Sequence, residues 1–336
     1  MSAREAAAGG TQPFDVVVLG EVLLEIATDV PAAQGTPATL GVSGDALNVA
    51  AASAAAGARV GLVAVLTDDE LGRSIATRVA ELGVSTELLR FRRGQQGMYL
   101  LHCDPSGQRE FSYARAGSVG STLGPADLDR DVLAAAGAVV ASGITCAISA
   151  TARAAVLEAA RLARRFVYDP NHRPRLASAE AAAADLREIA PRAFLVTPSS
   201  PGETAALLGA GTPTEAAAVL RGWGARNVAV TCGAEGVHVE GESLGSAHDG
   251  GAWVEAVPAP AVVDQTGAGD AFLGTVTARL VLGDGLLDAV RLGAAAASLV
   301  VGGRGGTSSL PSLEATRAHA GAAGTHLGKG SAAWSA

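Results

Sequence analysis

The stretch Asp264-Gln265-Thr266-Gly267-Ala268-Gly269-Asp270-Ala271-Phe272 follows the apolar run Ala261-Val262-Val263 and leads into an Ala/Val/Leu-rich segment ending near Leu282. An apolar run, then small residues, then an apolar periodic segment predicts a helix that opens at the glycines. The first N–H groups of a helix lack intrahelical partners, and its dipole favours an anion there. Gly267 and Gly269, with Ala268 between them, let a phosphate come close to those groups because no side chain intervenes. Asp270 then stands one residue beyond the anion position, where a carboxylate can take a proton from the group attacking phosphorus. A plain glycine turn with an acid capping a helix explains the same letters equally well until the rest of the chain is read.

Composition narrows the options. The chain has 336 residues, 49% of them apolar, enough for one large domain. Its formal charge of −8 disfavours nucleic acid as the main partner. No apolar run reaches membrane-spanning length without a Gly, Pro or charge. Residues 1–12 are small and polar with no apolar core segment, so a disordered tail and no secretory signal are expected. Cys103, Cys146 and Cys232 show no paired spacing, which argues for a reducing cytoplasm and against disulfides or a zinc cluster. The only lysine is Lys329. A Walker P-loop needs a lysine on the phosphates, and Schiff-base enzymes need one as nucleophile. Any anion site must therefore use arginine, backbone N–H groups or a metal.

Patterning along the chain alternates between strand and helix. Residues 15–19, 60–66, 138–142, 166–169, 193–197 and 227–231 read as strands. Helical periodicity covers 68–82, 149–165, 179–189, 201–208, 214–223 and 286–301. Residues 237–239 and 253–257 read as antiparallel strands. Two stretches interrupt the rhythm, near 22–43 and 92–118, as an inserted lid would. Within the second, 98–103 and 110–115 form a hairpin whose turn is Asp104-Pro105-Ser106-Gly107. Alternation puts Phe111, Tyr113 and Arg115 on one face, which suits a polar anionic ligand and equally an ordinary exposed hairpin. Polar residues Glu21, Asn171, Thr197 and Thr231 fall at C-terminal ends of strands, which line the ligand crevice of a doubly wound sheet. The expectation is a single α/β domain over residues 13–313, a mostly parallel central sheet with helices on both faces and a small β lid. Residues 314–336 are expected to be a loose tail.

The joint pattern resembles the ribokinase-like (PfkB) carbohydrate kinases from about Asp15 to Pro311. Ser43-Gly44-Asp45-Ala46-Leu47-Asn48 is similar to the N-terminal sugar-binding signature, and residues 264–272 to the C-terminal one. Residues 231–236 resemble the nucleotide-side loop, and Glu203 stands where the family's N-x-x-E glutamate does. Within the family, Gly97-Met98-Tyr99-Leu100, Tyr113-Ala114-Arg115 and Asp169-Pro170-Asn171-His172-Arg173-Pro174 look most like the 2-keto-3-deoxygluconate kinases.

That resemblance implies ATP-dependent phosphorylation of the terminal (C6) hydroxyl of a sugar acid, with Asp270 as base and Gly267, Ala268 and Gly269 stabilising the transferring phosphoryl. It implies sugar contacts from Gly44, Asp45, Asn48, Tyr99, Tyr113, Arg115 and Arg173. Asn171, Thr231, Gly233, Gly236, Gly267 and Gly269 would meet the nucleotide. Mg²⁺ would be held through water near Glu203, and a monovalent cation near Asp264. Arg115 and Arg173 can pair with a carboxylate, but a structural ion pair or a phosphate contact is the competing role for each. A homodimer through the lid is a further expectation of the resemblance. Fructose, ribose or nucleoside kinases of the same family are the alternative, and a non-catalytic sugar binder on this fold a remoter one. Ser43 replaces a glycine and is expected to narrow the sugar pocket. Gln265 replaces the usual threonine, and Ser200 stands for the asparagine of N-x-x-E.

Overall fold

The computed structural model describes residues 13–104, 108–244 and 250–326, without the side chains of 323–326. The tail expected over 1–12, the turn residues 105–107 and Lys329 lie outside the described residues.

Among the described residues, fifteen strands form three sheets. The first part of the chain supplies β1 (Val16–Leu19), β2 (Leu23–Ala27), β3 (Thr39–Ser43), β4 (Val60–Val63), β5 (Val65–Thr67) and β6 (Val84–Ser85). The lid region adds β7 (Arg90–Arg92), β8 (Met98–Cys103) and β9 (Arg109–Ala114). The later part gives β10 (Ala138–Ser142), β11 (Phe166–Asp169), β12 (Ala193–Val196), β13 (Asn227–Thr231), β14 (Gly236–Gly241) and β15 (Ala252–Glu255). The main sheet runs β15-β14-β13-β12-β11-β10-β1-β4-β6, with every pairing parallel except those of β14 with β13 and β15. Its order steps outward from β1 in both directions, so the strand ends there form the switch point where ligands bind in such sheets.

Strand alternation sends Val17 and Leu19 to one face and Val16 and Val18 to the other, and each face has its own core. The Val16/Val18 face packs on α1 (Asp45–Ala55) and α2 (Glu70–Glu81). The Val17/Leu19 face packs on α3 (Arg130–Ala135), α4 (Gly143–Ile148), α5 (Ala150–Leu162), α6 (Ala179–Ile189), α7 (Gly202–Leu208) and α8 (Pro213–Gly222). Later in the chain α9 (Ala268–Val281) and α10 (Leu286–Val300) join the first face. The doubly wound α/β class read from the sequence is the one observed.

Three local departures have physical reasons. The apolar run 60–66 is two strands, not one. Ala64 receives the Arg90 N–H at 2.9 Å, and β5 leaves the main sheet to pair with β7. The 3.6-residue rhythm at 149–165 ends at Leu162, because Ala163 is extended. Residues expected to be loose from Glu314 form α11 (Leu313–His326), whose Ala320 packs with Val257 and Ala295 and whose His319 bonds Ser298 at 2.9 Å.

The lid is a separate four-stranded sheet, β3-β2-β8-β9. Its cross-strand pairs bring Tyr99 opposite Tyr113, and Phe111 stacks near Tyr113 with ring centroids 6.2 Å apart. Arg115 lies over the Tyr113 ring at 4.9 Å, so the shared face of Phe111, Tyr113 and Arg115 forms as alternation predicts.

Candidate active site

Gly267 is the N-cap of α9 and adopts φ 81°, a left-handed conformation that favours glycine. A Cβ there would also come within 2.8 Å of the Gly306 backbone. Asp264 folds the preceding turn by accepting the Thr266 N–H at 3.0 Å. The Ala268 N–H bonds the Gln265 carbonyl at 3.3 Å, so Ala268, expected to donate to phosphate, is withdrawn from that role and does not line the cavity. The N–H groups of Gly267 and Gly269 stay free among the described residues, and a Cβ on Gly269 would meet nothing within 4 Å. That open, donor-lined space at a helix start fits a phosphate.

Asp270 opens onto the same space. The Asn48 side-chain amide donates to its Oδ2 at 2.8 Å, and the Ser43 hydroxyl donates to Asn48 Oδ1 at 3.3 Å. Ser43 therefore turns its hydroxyl onto Asn48 and orients the amide that holds Asp270, and it stays on the cavity lining. Gly44, at φ 126°, is the N-cap of α1, and a Cβ there would strike the Glu21 carbonyl at 2.7 Å. Burial, then the neighbouring Asp45 carboxylate, raise the Asp270 pKa to about 7. Asp45 is itself raised by burial and accepts a short hydrogen bond from the Ser142 hydroxyl.

The opposite wall comes from strand ends β11 to β13. Asn171, at φ 38°, donates its N–H to Asp169 Oδ1 at 2.9 Å, and burial, then Glu203 and Asp270, push Asp169 well above the usual carboxylate range. Glu203 accepts the Ser199 N–H at 2.8 Å, the Ser199 hydroxyl at 2.9 Å and the His172 N–H, so it clamps two loops together. Ser200 donates its N–H to the Thr231 carbonyl. The Thr197 hydroxyl is buried, lines the cavity and lacks a partner among the described residues, as a group reserved for a ligand would.

These walls and the lid enclose about 1270 Å³. Of the residues expected to contact the sugar, Gly44, Asp45, Asn48, Tyr99, Tyr113 and Arg115 line this cavity, and of those expected at the nucleotide, Asn171, Thr231, Gly267 and Gly269 do. Glu203, Arg173 and Asp270 lie on its lining as well. Gly233 and Gly236 do not. A Cβ on Gly236 would meet the Val254 carbonyl at 2.3 Å, so its glycine serves strand packing. A second cavity of about 450 Å³, with Arg164, Arg165 and Phe194, shares no residue with this one.

Four arginines reach the large cavity, and their partners distinguish them. Arg115 Nη1 bonds buried Glu21 at 3.0 Å, so it has a carboxyl partner of its own, while its Nε stays buried without a partner among the described residues. Arg109, which sequence reasoning missed, lies 2.5 Å from Asp264, a close ion pair rather than an aligned hydrogen bond. Arg175, also missed, donates to the Phe111 carbonyl at 2.8 Å and straps the loop to the lid. Arg173 bonds only the His172 carbonyl at 3.2 Å, and no carboxylate pairs with it among the described residues. The Tyr99 hydroxyl donates to Glu25, so Tyr99 presents its ring rather than a free hydroxyl.

No group of three or more His, Cys, Asp or Glu that could hold a metal occurs among the described residues. Asp169 and Glu203 at the cavity wall suit an ion carried on phosphate oxygens and water, as Mg²⁺ often is. The monovalent cation expected at Asp264 does not fit. Its Oδ1 accepts the Thr266 N–H, its Oδ2 accepts the Gly305 N–H at 3.0 Å, and the Arg109 guanidinium already supplies a positive charge beside it. Cys103, Cys146 and Cys232 are free, in line with the expectation against disulfides. No described helix is long and apolar enough to cross a membrane.

A model of the pfkB family carbohydrate kinases matches residues 14–313. The chain is 34% identical over 305 residues to the 2-dehydro-3-deoxygluconokinase of Thermoproteus tenax, spanning 89% of this chain and 92% of that protein. It is 30% identical over 290 residues to the probable fructokinase-4 of Arabidopsis thaliana, spanning 82% of this chain and 85% of that protein. A crystal structure of a PfkB protein from Polaromonas sp. JS666 superposes with a TM-score of 0.80 at 30% identity, covering 91% of this chain and 99% of that one.

Proposed function

Because the chain belongs to the pfkB family of carbohydrate kinases, we propose that it transfers the γ-phosphoryl of ATP to the terminal C6 hydroxyl of 2-keto-3-deoxygluconate. The observation that carries the substrate class is Arg173, a cation at the cavity that forms no ion pair among the described residues, although Asp45, Asp169 and Asp270 feel its charge. A sugar carboxylate supplies a partner, and charge-assisted pairs of this kind hold ligands strongly.

Asp270 accepts the proton of the C6 hydroxyl as that oxygen attacks the γ-phosphorus in line with departing ADP. Asn48 fixes the carboxylate's orientation through its 2.8 Å hydrogen bond, and Ser43 fixes Asn48. The free N–H groups of Gly267 and Gly269 meet charge on the transferring phosphoryl. Asp169 and Glu203 on the cavity lining would hold Mg²⁺ through water, and the ion would supply neutralising charge. The aromatic face of Tyr99, Phe111 and Tyr113 covers the sugar and keeps water from the phosphoryl group.

The reading is tested by incubating the protein with ATP and 2-keto-3-deoxygluconate and recording the phosphorus NMR spectrum. A new phosphomonoester signal split by a methylene pair of protons is expected. A signal split by a single carbinol proton would place the phosphate elsewhere. Arg173→Ala should raise KM for the sugar acid by about tenfold or more, the loss expected of a hydrogen bond to a charged group, and leave a neutral ketose unaffected. Phosphorylation of fructose is the second reading, favoured by the fructokinase relative, and an equal loss for both sugars would support it.

A further inference from the structure

We propose that Arg109 is a positioning residue that stands in for a bound monovalent cation at Asp264 and so couples the lid to the phosphate-binding loop. The kinetic part of its test rests on the phosphoryl-transfer reading.

The Asp264 carboxylate is 4% exposed and serves three segments at once. It accepts the Thr266 N–H from its own turn and the Gly305 N–H from the loop after α10, and it faces Arg109 at the start of lid strand β9. Those partners are the ones that shape the phosphate cradle. A Cβ on Gly267 would clash with the Gly306 backbone, and a Cβ on Gly306 would clash with the Asn48 amide that holds Asp270. Moving the 305–306 backbone thus moves both the anion site and the base. Two more ties join the same loop to the lid: Arg304 pairs with Asp29, and the Thr307 hydroxyl donates to the Val42 carbonyl at 2.9 Å.

A buried carboxylate needs a cation close by, because amide hydrogen bonds alone leave its charge uncompensated. Among the described residues Arg109 is the one that supplies it, and it does so from the lid. When the lid lifts, Arg109 leaves with it, and the cradle loses the charge that orders its first turn. Lid closure over the sugar and ordering of the phosphate loop are therefore one event. An open lid leaves the phosphoryl group poorly held, which protects ATP from water.

The test compares wild type, Arg109→Ala and Arg109→Lys in sodium and in potassium buffers. ADP affinity is measured by calorimetry with and without the sugar acid, alongside KM for ATP. Wild type should be insensitive to potassium within about twofold and bind ADP more tightly when the sugar acid is present. Arg109→Ala should lose that coupling, raise KM for ATP by about tenfold, and regain part of the loss in potassium, while Arg109→Lys keeps most of it. Wild type that requires potassium, or Arg109→Ala with unchanged coupling and KM, would overturn the proposal. Loss of ADP affinity in Arg109→Ala beside a wild type inert toward the sugar acid would support the latch and sink the substrate reading instead.

Discussion

Asp270→Asn is expected to lower kcat by roughly 10²–10⁴-fold, the usual worth of a general base, while KM for the sugar changes little. Asparagine keeps the size of the side chain and can still meet Asn48 if that amide turns over, so the fold and the sugar wall survive. What is lost is the proton acceptor. The pH profile supplies an independent check. Burial and the Asp45 charge hold the Asp270 pKa at about 7. The protonated form is inert as a base, so kcat/KM should climb as pH rises through about 7 and flatten above it. The same shift has a cost in stability. The folded chain holds this proton more tightly than the unfolded one, so stability falls as pH rises from the ordinary carboxylate pKa of 3.8 to about 7. Asp270→Asn should remove both the rising limb and that share of the stability change.

Arg115→Ala should be chiefly a folding defect. Its guanidinium is 11% exposed and Glu21 2%, so truncation leaves a carboxylate buried without its cation. Breaking such a pair from one side costs about 3 kcal/mol or more. Burial already lifts Glu21 to about 7 against the Arg115 attraction. Below the ordinary value of 4.5, Glu21 is neutral in both the folded and unfolded chain, and the loss shrinks to lost packing. Removing Arg115 raises the Glu21 pKa further, so the loss grows as pH rises past about 7 and is full only above the variant's still higher value. Urea unfolding at pH 5 and pH 8 should therefore show a defect that grows with pH, relieved when Glu21→Gln is added. A defect equal at both pH values and untouched by Glu21→Gln would assign Arg115 to the ligand alone.

The parts of the molecule visible in sequence are those whose cause is local. The apolar run of residues 138–142 and the Gly267–Asp270 opening of α9 depend on neighbours in the chain. Ser43, Gly44, Asp45 and Asn48 could be placed at the cavity by resemblance because one short stretch carries all of these groups. Arg109, Arg175 and Asp169 were missed as site residues because their roles come from distant partners. Arg115 was seen, but not its charge state, since Glu21 lies 94 residues away in the chain. The turn of β5 out of the main sheet leaves no mark at Ala64, one small residue in an apolar run. The Ala/Gly-rich composition of α11 hides a helix that is held by Ala320 and His319 against α10 and Val257.

The central claim, phosphoryl transfer to a sugar acid read by Arg173, is met most directly by comparing kcat/KM for 2-keto-3-deoxygluconate and for fructose with ATP as donor. The account predicts a clear preference for the sugar acid that collapses toward parity in Arg173→Ala. A preference for fructose in the wild-type protein, unchanged by Arg173→Ala, would contradict it.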